Sequence, residues 1–298
     1  MHVLERRGST ELVVMWAIYG AFALAVAVTY TRLEPEQLYH VSEDGLDGGL
    51  GRALVFLNFP TALAAVAVLL VAADRLPRGR VAAAVGFVLC LVTAVPGVVD
   101  QDDLDAKAIN VVPALGVAIA VALTVLAVRR HGRGSLRPRL PGDALRLGAA
   151  VVLVAAGLPW LFAELGFYAD DVPGLGAVYM SDEMRFEEDG TPIRAVHVGE
   201  HHGTDGMLLA LTAILLSRLI GSVRAPLLRT GFAAYLALML VYGVANAAQD
   251  GWLEQVVKRG WSDVHLPEVL QPEPTAAWAL LIAAAAVVYL VFLRPDAR

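Results

Sequence analysis

The sequence predicts an all-α, polytopic integral membrane protein of about eight transmembrane helices, built as two parallel four-helix repeats. Three observations carry that expectation. Hydrophobic residues make up 57% of the 298 positions and the mean hydropathy is +0.62, too apolar for a soluble domain of this size. The apolar residues gather into eight runs near 12–31, 53–73, 81–99, 109–128, 145–165, 206–221, 230–248 and 275–293. Two polar strings recur, HVSEDGLDGGL from His40 and HVGEHHGTDGML from His197, each just ahead of an apolar run.

Each run is judged by length. An α-helix needs about 20 apolar residues to cross roughly 30 Å of hydrocarbon with its backbone bonds satisfied internally. The first run follows Arg6 and Arg7 and contains the small-residue string Ala23 to Ala27; it is long for a cleaved signal and reads as a retained anchor. The second carries Asn58, an amide suited to helix packing, and the third carries Cys90, the single cysteine, which excludes an internal disulfide and reads as a packing residue. The fifth ends on Trp160 and Glu164, an ionisable group that is costly near hydrocarbon unless it pairs or meets water. The sixth is the shortest, and the seventh ends in a stripe of Tyr242, Asn246, Asp250 and Glu254 spaced by four.

Alternating the loops between two sides places 16 of the 23 Lys and Arg residues on one side, among them Arg75, Arg129, Arg146, Arg218 and Arg229. The positive-inside rule makes that side cytoplasmic, with both termini on it, and the expected location is the plasma membrane. The acids sort the other way: only Glu5, Glu11, Asp74, Asp143 and Asp296 of the 29 Asp and Glu residues lie inside. Insertion rules do not demand that second asymmetry, so either the outer loops need solvating charge or the outer surface faces a cation or a substrate.

Four helices per half would give both halves the same orientation. Residues 1–128 form the first repeat, 129–144 a basic connector able to touch anionic headgroups, and 145–298 the second repeat with a long outer loop at 166–204. The echo QDDLD from Gln101 and QDGWLE from Gln249 follows the next apolar run in each half. Capping by Asp47 or Asp205 explains part of the first echo, but not its upstream His-Val-x-Glu.

His197, His201 and Asp205 are spaced i, i+4, i+8, which on a helix aligns two imidazoles and a carboxylate, a donor set suited to a divalent metal such as zinc. Gly199 and Gly203 weaken the helical reading. His40 would complete the ligands, Glu200 is the general-base candidate beside a bound water, and Glu164 is a second catalytic candidate. His202, Asp44, Asn246 and Asp250 complete the pocket candidates. The HxxxH spacing is similar to that of polytopic metal hydrolases of the ceramidase and adiponectin-receptor type, whose helix number and serine motif this chain does not match. The alternative to a metal site is a set of interfacial polar residues.

The net charge of −6 and the lack of a basic stretch interleaved with aromatics exclude nucleic acid as the expected partner. Three classes remain. A metal-dependent hydrolase or transferase acting on a lipid-linked or amphiphilic substrate uses the outer cluster most directly. A facilitative transporter fits a parallel repeat, although no helix interior carries an ionisable group near mid-depth for ion coupling. The third class is a non-catalytic subunit or assembly factor docking a partner on the outer surface.

Overall fold

A computed structural model describes residues 9–32, 49–99, 106–132, 140–167, 172–179, 184–186, 192–194 and 202–295. The elements are α1 (Thr10–Arg32), α2 (Gly49–Asn58), α3 (Pro60–Arg75), α4 (Arg80–Leu91), α5 (Val111–His131), α6 (Asp143–Ala156), α7 (Leu158–Glu164), the single turn α8 (Gly176–Tyr179), α9 (His202–Ser217), α10 (Pro226–Trp252) and α11 (Ala276–Val288). A two-stranded antiparallel hairpin, β1 (Met184–Phe186) with β2 (Pro192–Arg194), pairs Arg185 with Ile193. It lies in the segment expected as an outer loop.

Among the described residues six helical segments are long and apolar enough to cross a membrane: Thr10–Arg32, Gly51–Arg75, Pro77–Ala94, Ala108–His131, Pro226–Val257 and Ala276–Leu293. The other two expected spans take different forms. The fifth run divides into α6 and α7, bent by 56° across Gly157. Pro159 in the first turn of α7 has no N–H to continue the α6 ladder, and its ring excludes an uninterrupted helix through that point. The sixth run is α9, only 16 residues long, whereas the segment over the second run, Gly51–Arg75, has 25.

Helix α3 is the hub, packed against α4, α5, α9 and α10. It is buried nearly all round because Ala62, Ala64, Ala65 and Ala67 keep its girth small and let neighbouring backbones approach. A similar approach joins α4 to α5, where a β-carbon on Gly116 would stand 2.6 Å from Cys90 Sγ and 2.9 Å from the Gly86 carbonyl oxygen. Cys90 is therefore a packing residue, fully buried. Leu145, Leu147 and Val152 on α6 and Leu280 and Ile282 on α11 point outward and stay exposed, as apolar side chains do when the solvent is hydrocarbon.

One end of the bundle is held by ionic and polar contacts. Arg218, just past α9, donates to Glu11 on α1 (Nε to Oε1, 3.3 Å) and to Asp143 at the start of α6. Arg146 reaches Asp143 Oδ1 (3.1 Å) and Ser217 Oγ (2.8 Å). Arg75 at the end of α3 donates to Ser9 Oγ (3.1 Å) and Ser222 Oγ (3.4 Å). Asp74 Oδ1 accepts the backbone N–H groups of Arg224 and Ala225 (3.1 and 2.9 Å), fixing the entry to α10. Three of the five acids assigned to the basic side, Glu11, Asp74 and Asp143, are therefore structural partners of arginines or backbone amides. That end holds the starts of α1, α6 and α10 and the ends of α3 and α9, the arrangement that strict up-and-down alternation requires.

Candidate functional site

The opposite end is reached along α10, whose 24-residue advance from Pro226 to Asp250 carries it about 36 Å at 1.5 Å per residue. There α7, α9 and α10 meet. Glu164, Asp205, Asn246, Asp250 and Glu254 are each no more than 5% exposed, and His202 is half-buried. Ionisable groups so far from water are expensive unless they interact with one another or with a ligand, so their concentration at one junction marks the candidate site.

Glycines make the junction possible. A β-carbon at Gly203 would overlap the Trp160 indole and stand 2.6 Å from Asp250 Oδ2. Trp160 from α7 and Asp250 from α10 thus close on the same point of α9. Trp160 also rests on Gly251, where a β-carbon would lie 3.2 Å from its ring. One turn along α9, Gly206 and Gly243 meet so closely that a β-carbon on either would overlap the other's carbonyl oxygen. This crossing sets Asn246 Cβ 3.1 Å from the β-carbon position of Gly206, beside Asp205.

Gly203 was expected to weaken a helix here. The structure corrects that: α9 begins at His202 and runs through Gly203, because the glycine is needed for the approach of Trp160. Glu254, the last residue of the stripe spaced by four, is buried and bonded to Lys258 Nζ at 2.5 Å, in a π-helical turn (Leu253–Val257) that prolongs α10. Such turns hold one residue more than an α-turn and reorient the side chains around them.

Thr204 Oγ1 and Asn246 Nδ2 are buried and meet no acceptor in full hydrogen-bond geometry among the described residues, Asn246 lying against the Tyr242 hydroxyl. Both belong to the junction, Thr204 next to Asp205 and Asn246 one turn before Asp250. Two such groups at one place are what a polar ligand or bound water would satisfy.

An apolar cavity of about 130 Å³ adjoins the junction between α3, α10 and the start of α11. Phe59 and Tyr242 line it, and Phe59 also packs edge-on against His202 (centroids 6.4 Å) and Tyr242 (6.2 Å). The Tyr242 hydroxyl donates to the Leu270 carbonyl at 2.6 Å. Phe59 and Trp160, the aromatic walls, were not legible as site residues, since each reads as an ordinary apolar position. The Gly-Leu-Pro break at Gly157 was the available signal that α7 turns inward.

Of the residues proposed from sequence, Asp205, His202, Asn246, Asp250 and Glu164 belong to the helices at this junction. His40, Asp44, His197, Glu200 and His201 lie outside the described residues. Among the described residues no three His, Cys, Asp or Glu side chains form a metal-holding group.

The glycine at 203 supplies a first expected result. Gly→Ala inside a helix ordinarily stabilises by about 0.5–1 kcal/mol, and overpacking costs about 1–3 kcal/mol. Gly203→Ala should therefore lower the thermal midpoint in detergent, because Trp160 and Asp250 must both move. Gly148→Ala, on the open face of α6 with nothing within 4 Å, should raise it. Equal shifts would remove the steric account of the junction.

No family model, curated protein or solved structure matches the chain.

Proposed function

We propose that the chain is an eight-span protein of the plasma membrane with both termini cytoplasmic, acting at the extracytoplasmic face as a metal-dependent hydrolase or transferase on a lipid-linked or amphiphilic substrate. The observation that carries this reading is the meeting of buried carboxylates with an apolar aromatic cavity through Phe59 and Tyr242. An amphiphile needs both environments side by side: polar groups to act on its head and an apolar recess for its tail. The eight spans are the six long segments, the bent α6–α7 pair and the short α9. Two parallel repeats are the simplest origin of the echoed strings.

The donor chemistry suits zinc. His197, His201 and Asp205, with His40 from the first half, would hold the ion, which when bound supplies an acidified water at neutral pH. Asp205 is buried in the first turn of α9. Glu200 would take the proton from the attacking water, and Glu164 on α7 is the second candidate for proton transfer. Asp250 and Asn246 would orient the polar head from α10, with His202 and Asp44 at the rim.

A stoichiometric metal is expected in the purified protein by elemental analysis, lost in His197→Ala, His201→Ala and Asp205→Ala while circular dichroism stays native. No bound metal in the intact protein overturns the metal-enzyme reading. The break between α6 and α7 favours a second reading, a facilitative transporter, because discontinuous helices beside a buried polar cluster are how many transporters form a substrate site. Substrate counterflow in liposomes, with no turnover, would select it. Metal-free folding with a co-purifying protein would select a non-catalytic subunit.

A further inference from the structure

Residues 172–179, which end in the single turn α8, cross from α7 to the end of α10. α8 packs on α7, the helix that carries Trp160 and ends on Glu164. It is also bonded to the π-helical turn that prolongs α10, where Gln255 Nε2 donates to the Val178 carbonyl at 3.0 Å. Gln255 stands one turn beyond Gly251, on which the Trp160 indole rests, and next to the buried Glu254. The segment therefore lies at the rim of the junction and bridges two of the three helices that form it.

That bond is oriented from behind. Arg259 Nη2 donates to Gln255 Oε1 at 3.0 Å, and a guanidinium can only donate. The nitrogen end of the carboxamide is thereby left to face Val178, whose carbonyl can only accept. Arg259 is itself placed by the chain that follows: its guanidinium lies over the Trp261 ring, 5.8 Å from the centroid, and Trp261 N–H donates to the Val256 carbonyl at 3.0 Å. The segment is otherwise lightly held. Val172 and Leu175 are exposed, so its movement gives up little apolar contact, and a neutral hydrogen bond adds little net stability. Gly174 has φ +81° and nothing within 4 Å of its β-carbon position, a point where the backbone can turn without collision.

We infer that residues 172–179 are a lid over the junction of α7, α9 and α10, latched to α10 by Gln255 and released when that bond opens. Latched, the lid screens the Trp160–Gly251 contact and the carboxylates behind it from water. Released, it opens a path to them for a polar ligand. The inference rests on the junction being the site but on neither metal nor turnover, so it fails or stands apart from the metal-enzyme reading.

The test is a distance measurement by pulsed electron paramagnetic resonance on the full chain, with nitroxides at Leu175→Cys and Val264→Cys, both exposed positions. Cys90 is buried and stays unlabelled. Val264 is the fixed point, because its carbonyl accepts from Trp252 Nε1 of α10 at 2.7 Å. One narrow distance is expected in the otherwise intact protein. Gln255→Glu keeps a partner for Arg259 but sets an acceptor against the Val178 carbonyl, and should add a second, displaced population several-fold larger than any in the parent. Arg259→Leu, which frees the carboxamide to turn, should add the same population. Acrylamide quenching of Trp160, taken as the difference between each protein and its Trp160→Phe form, should rise several-fold in both. Gln255→Asn, one methylene too short to reach Val178, makes the same test if Gln255→Glu yields no folded protein. A single unchanged distance in these Gln255 variants overturns the latch. A second population without a gain in Trp160 quenching overturns the lid. A response to Gln255→Glu that Arg259→Leu does not reproduce overturns the orienting role of Arg259.

Discussion

Arg218→Ala should lower stability by about 3–5 kcal/mol, the range for removing one partner of a buried ion pair, with a matching fall in the midpoint of denaturant unfolding in mixed micelles. The magnitude follows from what is left behind. The Glu11 side chain is only 2% exposed and its carboxylate faces the Arg218 guanidinium, so without Arg218 it keeps its desolvation and loses its counter-charge. Glu11→Gln should cost far less, about 1 kcal/mol, because an amide oxygen still accepts the bond. The double variant Glu11→Met with Arg218→Met should recover most of the loss, since burying matched apolar groups is often neutral where a buried pair has been broken. Arg146 is a useful contrast: its contact with Asp143 is part-exposed, and such pairs contribute about 0–1 kcal/mol. If Arg218→Ala proves as mild as Arg146→Ala, the end network is surface decoration and does not join α1, α6 and α9.

Gly206→Val should prevent α9 and α10 from assembling. Their contact is the most extensive between any two helices described. The atoms that a side chain at 206 would strike are backbone: the Gly243 carbonyl oxygen, and Ala247 N at 2.8 Å. Backbone has no rotamer to yield, so the helices must separate, and the cost exceeds the usual overpacking range of about 1–3 kcal/mol. The expected outcome is loss of monodisperse protein on size-exclusion chromatography. Gly231→Ala on the same α10, with nothing within 4 Å, should behave as wild type. A monodisperse Gly206→Val protein with an unchanged thermal midpoint would refute the close crossing.

The eight apolar runs were legible because hydropathy reports what a helix meets on its flanks, and all eight fall on helices. Their ends were less legible. The sixth run was placed at 206–221, but α9 starts at His202: its first turn is polar in sequence yet buried against α7 and α10, and hydropathy cannot register that kind of burial. The fifth run appeared continuous although Pro159 marked the bend. At the junction of α7, α9 and α10, Asn246 and Asp250 were marked as candidates by their four-residue spacing, and Glu164 by the cost of a charge beside hydrocarbon. The same spacing put Glu254 in the stripe, and a π-turn and Lys258 keep it inside. Trp160 and Phe59 carried no signal, since contact between an aromatic ring and a distant glycine is a tertiary fact. The hairpin of β1 and β2 was missed because its three-residue strands are too short to show alternation.

The glycines also decide where this chain can change over evolutionary time. Gly203, Gly206, Gly243 and Gly251 are held by atoms of another helix, while Gly20, Gly148, Gly221 and Gly231 have open space around them. Substitutions at the second group, and exchanges among Leu, Val and Ile on the outward faces of α6 and α11, leave the packing untouched. Drift will therefore accumulate there and erase overall identity quickly. Distant descendants of this protein would be recognised less by similarity along the helices than by two small-residue pairs, one near the start of a short helix and one near the end of a long helix, facing a tryptophan that follows a Gly-Leu-Pro break.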